Sequence, residues 1–296
     1  MRILLAGIVS ACLIAACGQS AEPPAEMSVR LEADALGPDS SNEAIMLHML
    51  ETANGQGQTD QLQTYFPDLD RKRAYAIQRL RLEHGTQTAE HVGWKLAWTR
   101  QGEPGEELDP VVGHYLSDRV YPEGEPVSTR FFTGGVSNAE PEIVFYLKED
   151  LPGPVVTREQ LIAAVDAVGV GMEFVNWRTT EPGTREHAVA DNGIAVGVIL
   201  GAERHPLASV DFTQEIGRVE VRGKGSSEGP ATVLMGEDPI AAMLWAANEL
   251  PKWGMHFKAG QFVFSGTVCL PQQVSAGDSA TVSFTNLGSV SASFVE

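Results

Sequence analysis

The hydrophobic period of this chain changes once, near residue 90, and that change limits the folds open to it. Before it the spacing is helical. Ser40-Ser41-Asn42 offers a cap for a helix over roughly 43 to 53, whose apolar side carries Ile45, Leu47, Met49 and Leu50. The stretch "FPDLDRKRAYAIQRLRLEHG" starts a second helix at Pro67-Asp68, repeats Leu69, Ala74, Ile77, Leu80 and Leu82, and stops at Gly85. From about 91 onward the pattern is that of short strands: "VGWKLAW", "VVGHYL", "PVSTRFF", "EIVFYL", "GVGMEFVNWR", "AVGVILG", "EIGRVEVRG" and "QFVFSGT". Two helices interrupt them, one over 157–168 capped by Thr157 and one in "DPIAAMLWAANELPKWG", with Pro239 in its first turn and Gly254 past its end. The tail reads as a hairpin turning near Asn286 to Gly288. Helices first and strands after predict an α+β fold with a mainly antiparallel sheet, a helical part over 41–90 and a β-rich part over 91–296.

The first residues read as an address rather than as structure. Arg2 precedes an apolar run, Ile3 to Ala16, that is too short to span a bilayer. It ends in Leu13-Ile14-Ala15-Ala16-Cys17, the pattern of a bacterial lipoprotein signal, so 1–16 is expected to be a leader and Cys17 the lipidated residue. With Gly18 next, the expected place is a periplasm-facing, outer-membrane anchor, followed by a polar tether over 17–40. Cys12 leaves with such a leader, so Cys269 stands alone and no internal disulfide is available. The core must hold the fold, and 43% hydrophobic residues suffice for that. A net charge of −18 argues against nucleic acid and anionic membrane surfaces as partners.

One strand carries an electrostatic conflict. In "NAEPEIVFYL" the alternation puts Glu140, Glu142, Val144 and Tyr146 on one face and Pro141, Ile143, Phe145 and Leu147 on the other. Two carboxylates then sit about 7 Å apart beside apolar residues. Like charges at that spacing repel, and a divalent cation removes the conflict. A third acid, Glu173 in "GMEFVNWR", is flanked by Met172 and Phe174 in a core-like strand, where acids are paired or bound to metal. A solvated Glu-x-Glu face is the alternative on these residues alone.

Several segments in one order resolve that choice: "AYAIQ" at 74–78, "GWKLAWT" at 93–99, "EPEIVFYLKEDLP" at 140–152, "MEFVNWR" at 172–178, "VADNG" at 189–193, "GEDPIAAMLWAANEL" at 236–250, "FKAGQFVFSGT" at 257–267 and "VSAGDSATVSFTNLGSVSASF" at 274–294. The series resembles the 2-keto-4-pentenoate hydratase and 4-oxalocrotonate decarboxylase group of the fumarylacetoacetate hydrolase superfamily, over roughly 43–295. The resemblance implies a β-roll or sandwich with a helical N-terminal part. It implies that Glu140, Glu142 and Glu173 hold one Mg²⁺ or Mn²⁺, that Lys95 is the catalytic lysine, and that Asp191 and Asn192 line the substrate site. Members act on small 2-oxo acids through a metal-stabilised enolate and generally associate, so the implied protein is a homo-oligomeric hydro-lyase, most simply acting on a 2-hydroxypenta-2,4-dienoate. Decarboxylation, C–C hydrolysis and a binding lipoprotein without catalysis are the alternatives. Three departures bear on that choice: Ala97 where the family has glycine, Val111 where several hydratases carry aspartate, and Glu237-Asp238 before the late helix. His187 in "REHAVADN" reads as a solvated loop residue.

Overall fold

The computed structural model describes residues 36–102 and 107–296, all within one compact unit. The leader over 1–16, Cys17 and most of the 17–40 tether therefore lie outside the described residues. Residues 36–40 are already attached to the domain: Leu36 is buried, and Arg73 Nη2 donates to the Ser40 carbonyl at 2.9 Å.

Three helices come first, α1 (Asn42–Asn54), α2 (Leu62–Tyr65) and α3 (Arg71–Gly85). Ser41 caps α1 by accepting from the Ala44 N–H, and Asp70 caps α3 by accepting from Arg73 at 2.7 Å. The second helix thus starts at Arg71 rather than at Pro67-Asp68, because Asp70 is the side chain that meets the free amides. Its inner side, Ala74, Tyr75 and Ile77 with Gln78, is buried, and the Gln78 amide donates to the Val112 and Val189 carbonyls.

The strands are β1 (His91–Ala97), β2 (Val111–Leu116), β3 (Val120–Tyr121), β4 (Val127–Ser128), β5 (Val136–Leu147), β6 (Val165–Val175), β7 (Ala195–Leu200), β8 (Ile216–Val221), β9 (Gly225–Pro230), β10 (Phe262–Phe264), β11 (Gln272–Ser275), β12 (Ser279–Phe284) and β13 (Gly288–Val295). The remaining helices are α4 (Arg158–Ala164), α5 (Arg185–Ala190) and α6 (Pro239–Glu249). Among the described residues, eight strands form one sheet in the order β2-β1-β10-β5-β6-β7-β3, with β11 also on β5. A second sheet runs β4-β13-β12-β8-β9. Most pairs are antiparallel; β1 with β10, β3 with β7 and β4 with β13 are parallel. The expected α+β class with its helical N-terminal part is what the chain adopts.

Two local expectations differ, and one strand is unexpected. The helix expected over 157–168 ends at Ala164, where Val165 opens β6 opposite Leu147. Its valines fit a pleated, half-buried surface better than a fourth helical turn. "PVSTRFF" pairs only through Val127–Ser128 and then turns. Polar "GSSEGP" forms β9, which no apolar alternation announces, because the antiparallel ladder with β8 carries it.

The alternation predicted for β5 sorts its two faces into different cores. Ile143, Phe145 and Leu147 join the main core, whereas Val144 and Tyr146 join a smaller cluster with Tyr115, Val198, Phe262 and Phe264. The large sheet is strongly curled. Tyr115 on β2 hydrogen-bonds Glu173 on β6, although β1, β10 and β5 stand between them in the strand order. The glutamate face of β5 is therefore the inside of a roll.

Candidate active site

Glu140 and Glu173 are direct register partners across the β5–β6 ladder, and Glu142 follows opposite Gly171. Gly171 has room for no side chain, since a Cβ there would lie 2.4 Å from the Phe264 ring. On the other edge of β5 the partner strand changes: β11 pairs with 136–139 and β10 with 144–146. Pro141 falls in that gap, where its missing N–H leaves no ladder bond unmade. The loop after β10 crosses there instead. Gly266 N–H donates to Glu142 Oε2 at 2.6 Å, and Ser265 N–H to the Ile143 carbonyl at 3.1 Å. Gly266 has φ +99°, and a Cβ would meet Thr99 Oγ1 at 1.9 Å, so this donor needs glycine.

The result is a carboxylate triad with ligand atoms from all three acids within 4.8 Å of one another. Glu142 and Glu173 are buried and Glu140 is half-buried. Tyr115 Oη donates to Glu173 Oε1 at 2.5 Å, and Lys95 Nζ stands 3.2 Å from Glu173 Oε2. That second contact is an ion pair without hydrogen-bond alignment, so Oε2 is a buried acceptor with no donor. Burial, and then the charge of Glu173, push the Glu140 carboxyl up to about 8. The same causes, with Glu140 added, hold Glu142 well above the carboxylate range. An all-oxygen donor set, mutually repelling and with one acceptor unmet, suits a hard divalent cation.

Lys95 is fully buried on β1, and its Nζ also donates to the Gly193 carbonyl at 3.0 Å. The "VADNG" turn thus reaches the site through its backbone. Its side chains are engaged elsewhere. Asp191 pairs with Arg178 Nη1 at 2.7 Å and Arg81 Nη1 at 3.1 Å. Asn192, with φ +56°, bonds both the N–H and the carbonyl of His114 at 2.8 and 2.9 Å. Gly113, opposite Lys95, is required by the same packing, since a Cβ would sit 2.5 Å from the Asn192 carbonyl oxygen.

Lys95, Glu140 and Glu142 line one cavity of ≈430 Å³. Trp98 and Trp177 form an aromatic wall with centroids 5.9 Å apart, and Arg185 lies over the Trp98 ring at 4.1 Å. Arg100 and the buried Cys269 thiol also line it. Of the three departures, Ala97 lines this cavity and Val111 is its buried register partner. Asp238 instead caps α6 by accepting from Ile240 N–H at 2.9 Å. His187 corrects the solvated-loop expectation: it is fully buried on α5, and Nδ1 accepts from Leu62 N–H at 3.1 Å. Sequence reasoning missed Tyr115 and Gly266. Strand alternation from Gly113 signals the first, whereas nothing local marks the second.

No family model matches the chain. It is 31% identical over 188 residues to a 2-hydroxyhexa-2,4-dienoate hydratase of Comamonas testosteroni, covering 63% of this chain and 71% of that protein. It is 26% identical over 243 residues to a 2-oxo-hept-4-ene-1,7-dioate hydratase of Escherichia coli, covering 78% and 89%. The solved structure of 4-oxalocrotonate decarboxylase from Pseudomonas putida G7, complexed with magnesium and adipate, matches with a TM-score of 0.78 at 26% identity, over 86% of this chain and 97% of that one. Sequence likeness, shared fold and the buried acid triad agree, and the chain belongs to the 2-keto-4-pentenoate hydratase and 4-oxalocrotonate decarboxylase group of the fumarylacetoacetate hydrolase superfamily.

Proposed function

We propose that this protein is a divalent-metal-dependent hydro-lyase acting on small 2-oxo acids, adding water to a substrate of the 2-hydroxypenta-2,4-dienoate type. The observation that supports it most is the carboxylate triad of Glu140, Glu142 and Glu173, of which Glu140 and Glu142 line an arginine- and tryptophan-walled cavity. Those three residues would hold the cation, Mg²⁺ or Mn²⁺. When bound, it supplies Lewis-acid stabilisation of negative charge on a keto oxygen. Tyr115 fixes the Glu173 carboxylate by donating to Oε1. Lys95 Nζ, held between Glu173 and the Gly193 carbonyl, is placed to donate to a developing oxyanion or to carry a proton. The Trp98–Trp177 wall offers an apolar surface to a diene, and Arg100 at the same cavity suits an anionic substrate.

Loss of dienol absorbance tests the reading. Purified protein with 2-hydroxypenta-2,4-dienoate should turn over with Mg²⁺ and stop with EDTA; no metal-dependent turnover on a panel of 2-oxo acids would sink it. The likeness to the decarboxylase of Pseudomonas putida G7 favours decarboxylation as the second reading. Carbon dioxide release from 4-oxalocrotonate, with no hydration of the dienoate, would select it. The leader-like run over 1–16 followed by Cys17 supports the further proposal of a lipid-anchored, periplasm-facing protein, and the association usual in the family supports that of a homo-oligomer.

A further inference from the structure

A second cavity, of ≈220 Å³, abuts the 191–194 turn and shares no lining residue with the carboxylate cavity. Its walls hold Arg81, Arg119, Arg178 and His114, in a chain whose net charge is −18. The Arg81 and Arg178 side chains are only 12% and 2% exposed, and both pair with the single buried carboxylate of Asp191. One positive charge in that trio is therefore uncompensated inside the protein. Arg119, 22% exposed, is held by a long 3.7 Å ion pair to the 56% exposed Asp118 and by a hydrogen bond from Nη2 to Asn54 Oδ1 at 2.7 Å. Burial opposes the charge on Arg81 strongly enough to bring it down to about 10 despite Asp191, with Arg178 adding to the fall.

Two buried polar atoms at the same place have no partner. Arg178 Nη1 and Nη2 are bound, to Asp191 and to the Ala195 carbonyl, but its Nε–H is not. Asn192 takes both backbone groups of His114, and the His114 ring Nδ1 is left unmet. Excess buried positive charge with an unmet guanidinium N–H is the complement of a small oxyanion. We propose that this cavity binds such an anion, a carboxylate or a phosphate, among Arg81, Arg119 and Arg178. It is distinct from the cavity of the triad and is joined to the triad by Tyr115, which lines this cavity and donates to Glu173.

Calorimetry on the full chain tests this, with inorganic phosphate and succinate as separate titrants. Metal is first stripped with EDTA and the chelator dialysed away, so that no cation at the triad can bind either titrant and no competing carboxylate remains. Wild type should bind one equivalent of at least one titrant, and the tighter one identifies the chemistry. Arg119→Gln should weaken binding at least tenfold. Thr88→Asp, which keeps every arginine and places a carboxylate at an exposed lining position, should do the same, so a poorly folded Arg119 variant leaves the outcome decided. Binding of neither anion to wild type would overturn the proposal, as would both variants binding within twofold of wild type. So would light scattering showing that Arg119→Gln dissociates an oligomer whose wild type binds neither anion, because a second copy's acid would then occupy the cavity.

Discussion

Glu140 and Glu173 face each other directly across an antiparallel ladder, with a buried, hydrogen-bonded Tyr115 fixing one of them from a strand that is remote in the sheet order. Two acids at one ladder position destabilise a sheet unless something neutralises them. Because burial and Glu173 raise Glu140 from 4.5 to about 8, the proton is the neutralising cation when no metal is bound.

Metal affinity should therefore depend on pH. Below about 8 a cation must displace the Glu140 proton, and Glu142, also held well above the carboxylate range, resists ionisation beside it, so Mg²⁺ binding should strengthen by up to roughly tenfold per displaced proton per pH unit as pH rises toward and through 8. Stability of the EDTA-treated protein should run the opposite way. Its folded state binds more protons than the unfolded chain between 4.5 and about 8, so the stability present below 4.5 is lost as pH rises through that window. Calorimetry and denaturant titrations at several pH values check both slopes.

Glu142→Gln should cut metal affinity by tenfold or more and abolish metal-dependent turnover, while raising the melting temperature of the metal-free protein. The amide oxygen still accepts from Gly266 N–H, but one of three repelling carboxyls is gone. Unchanged metal affinity would remove the triad from the proposal.

Lys95→Met keeps the apolar stem packed against Gly193 and removes the charge 3.2 Å from Glu173. Turnover should fall by about 10²-fold or more. Metal affinity should hold or rise, because a competing cation has left the triad. A parallel loss of metal affinity would mean that Lys95 organises the triad instead.

Asp191→Asn separates a structural role from substrate contact. The variant leaves Arg81 and Arg178 without their carboxylate, which costs about 3–5 kcal/mol for a broken buried pair. A weakened KM with stability unchanged would instead return Asp191 to the substrate site.

For the proposed anchor, labelling with radioactive palmitate should mark the wild-type protein and spare Cys17→Ser. Equal labelling of both refutes lipidation.

By itself the sequence determined the class of fold and the acids of the candidate site. Strand alternation put Glu140 and Glu142 on one face, and apolar neighbours marked Glu173 and Lys95 as buried. Those inferences survive because they rest on period and burial, which local sequence encodes. What period cannot encode is which distant strands meet. The curl of the large sheet brings β2 against β6, so Tyr115 reaches Glu173. The switch of partner strand beside Pro141 lets the Gly266 loop reach Glu142. The same limit applies to Asp191 and Asn192. The resemblance set them at the substrate, but packing against Arg81, Arg178 and His114 engages their side chains and leaves the Gly193 carbonyl to hold Lys95. Only tertiary structure decides how a polar side chain is satisfied, since its partners lie far along the chain.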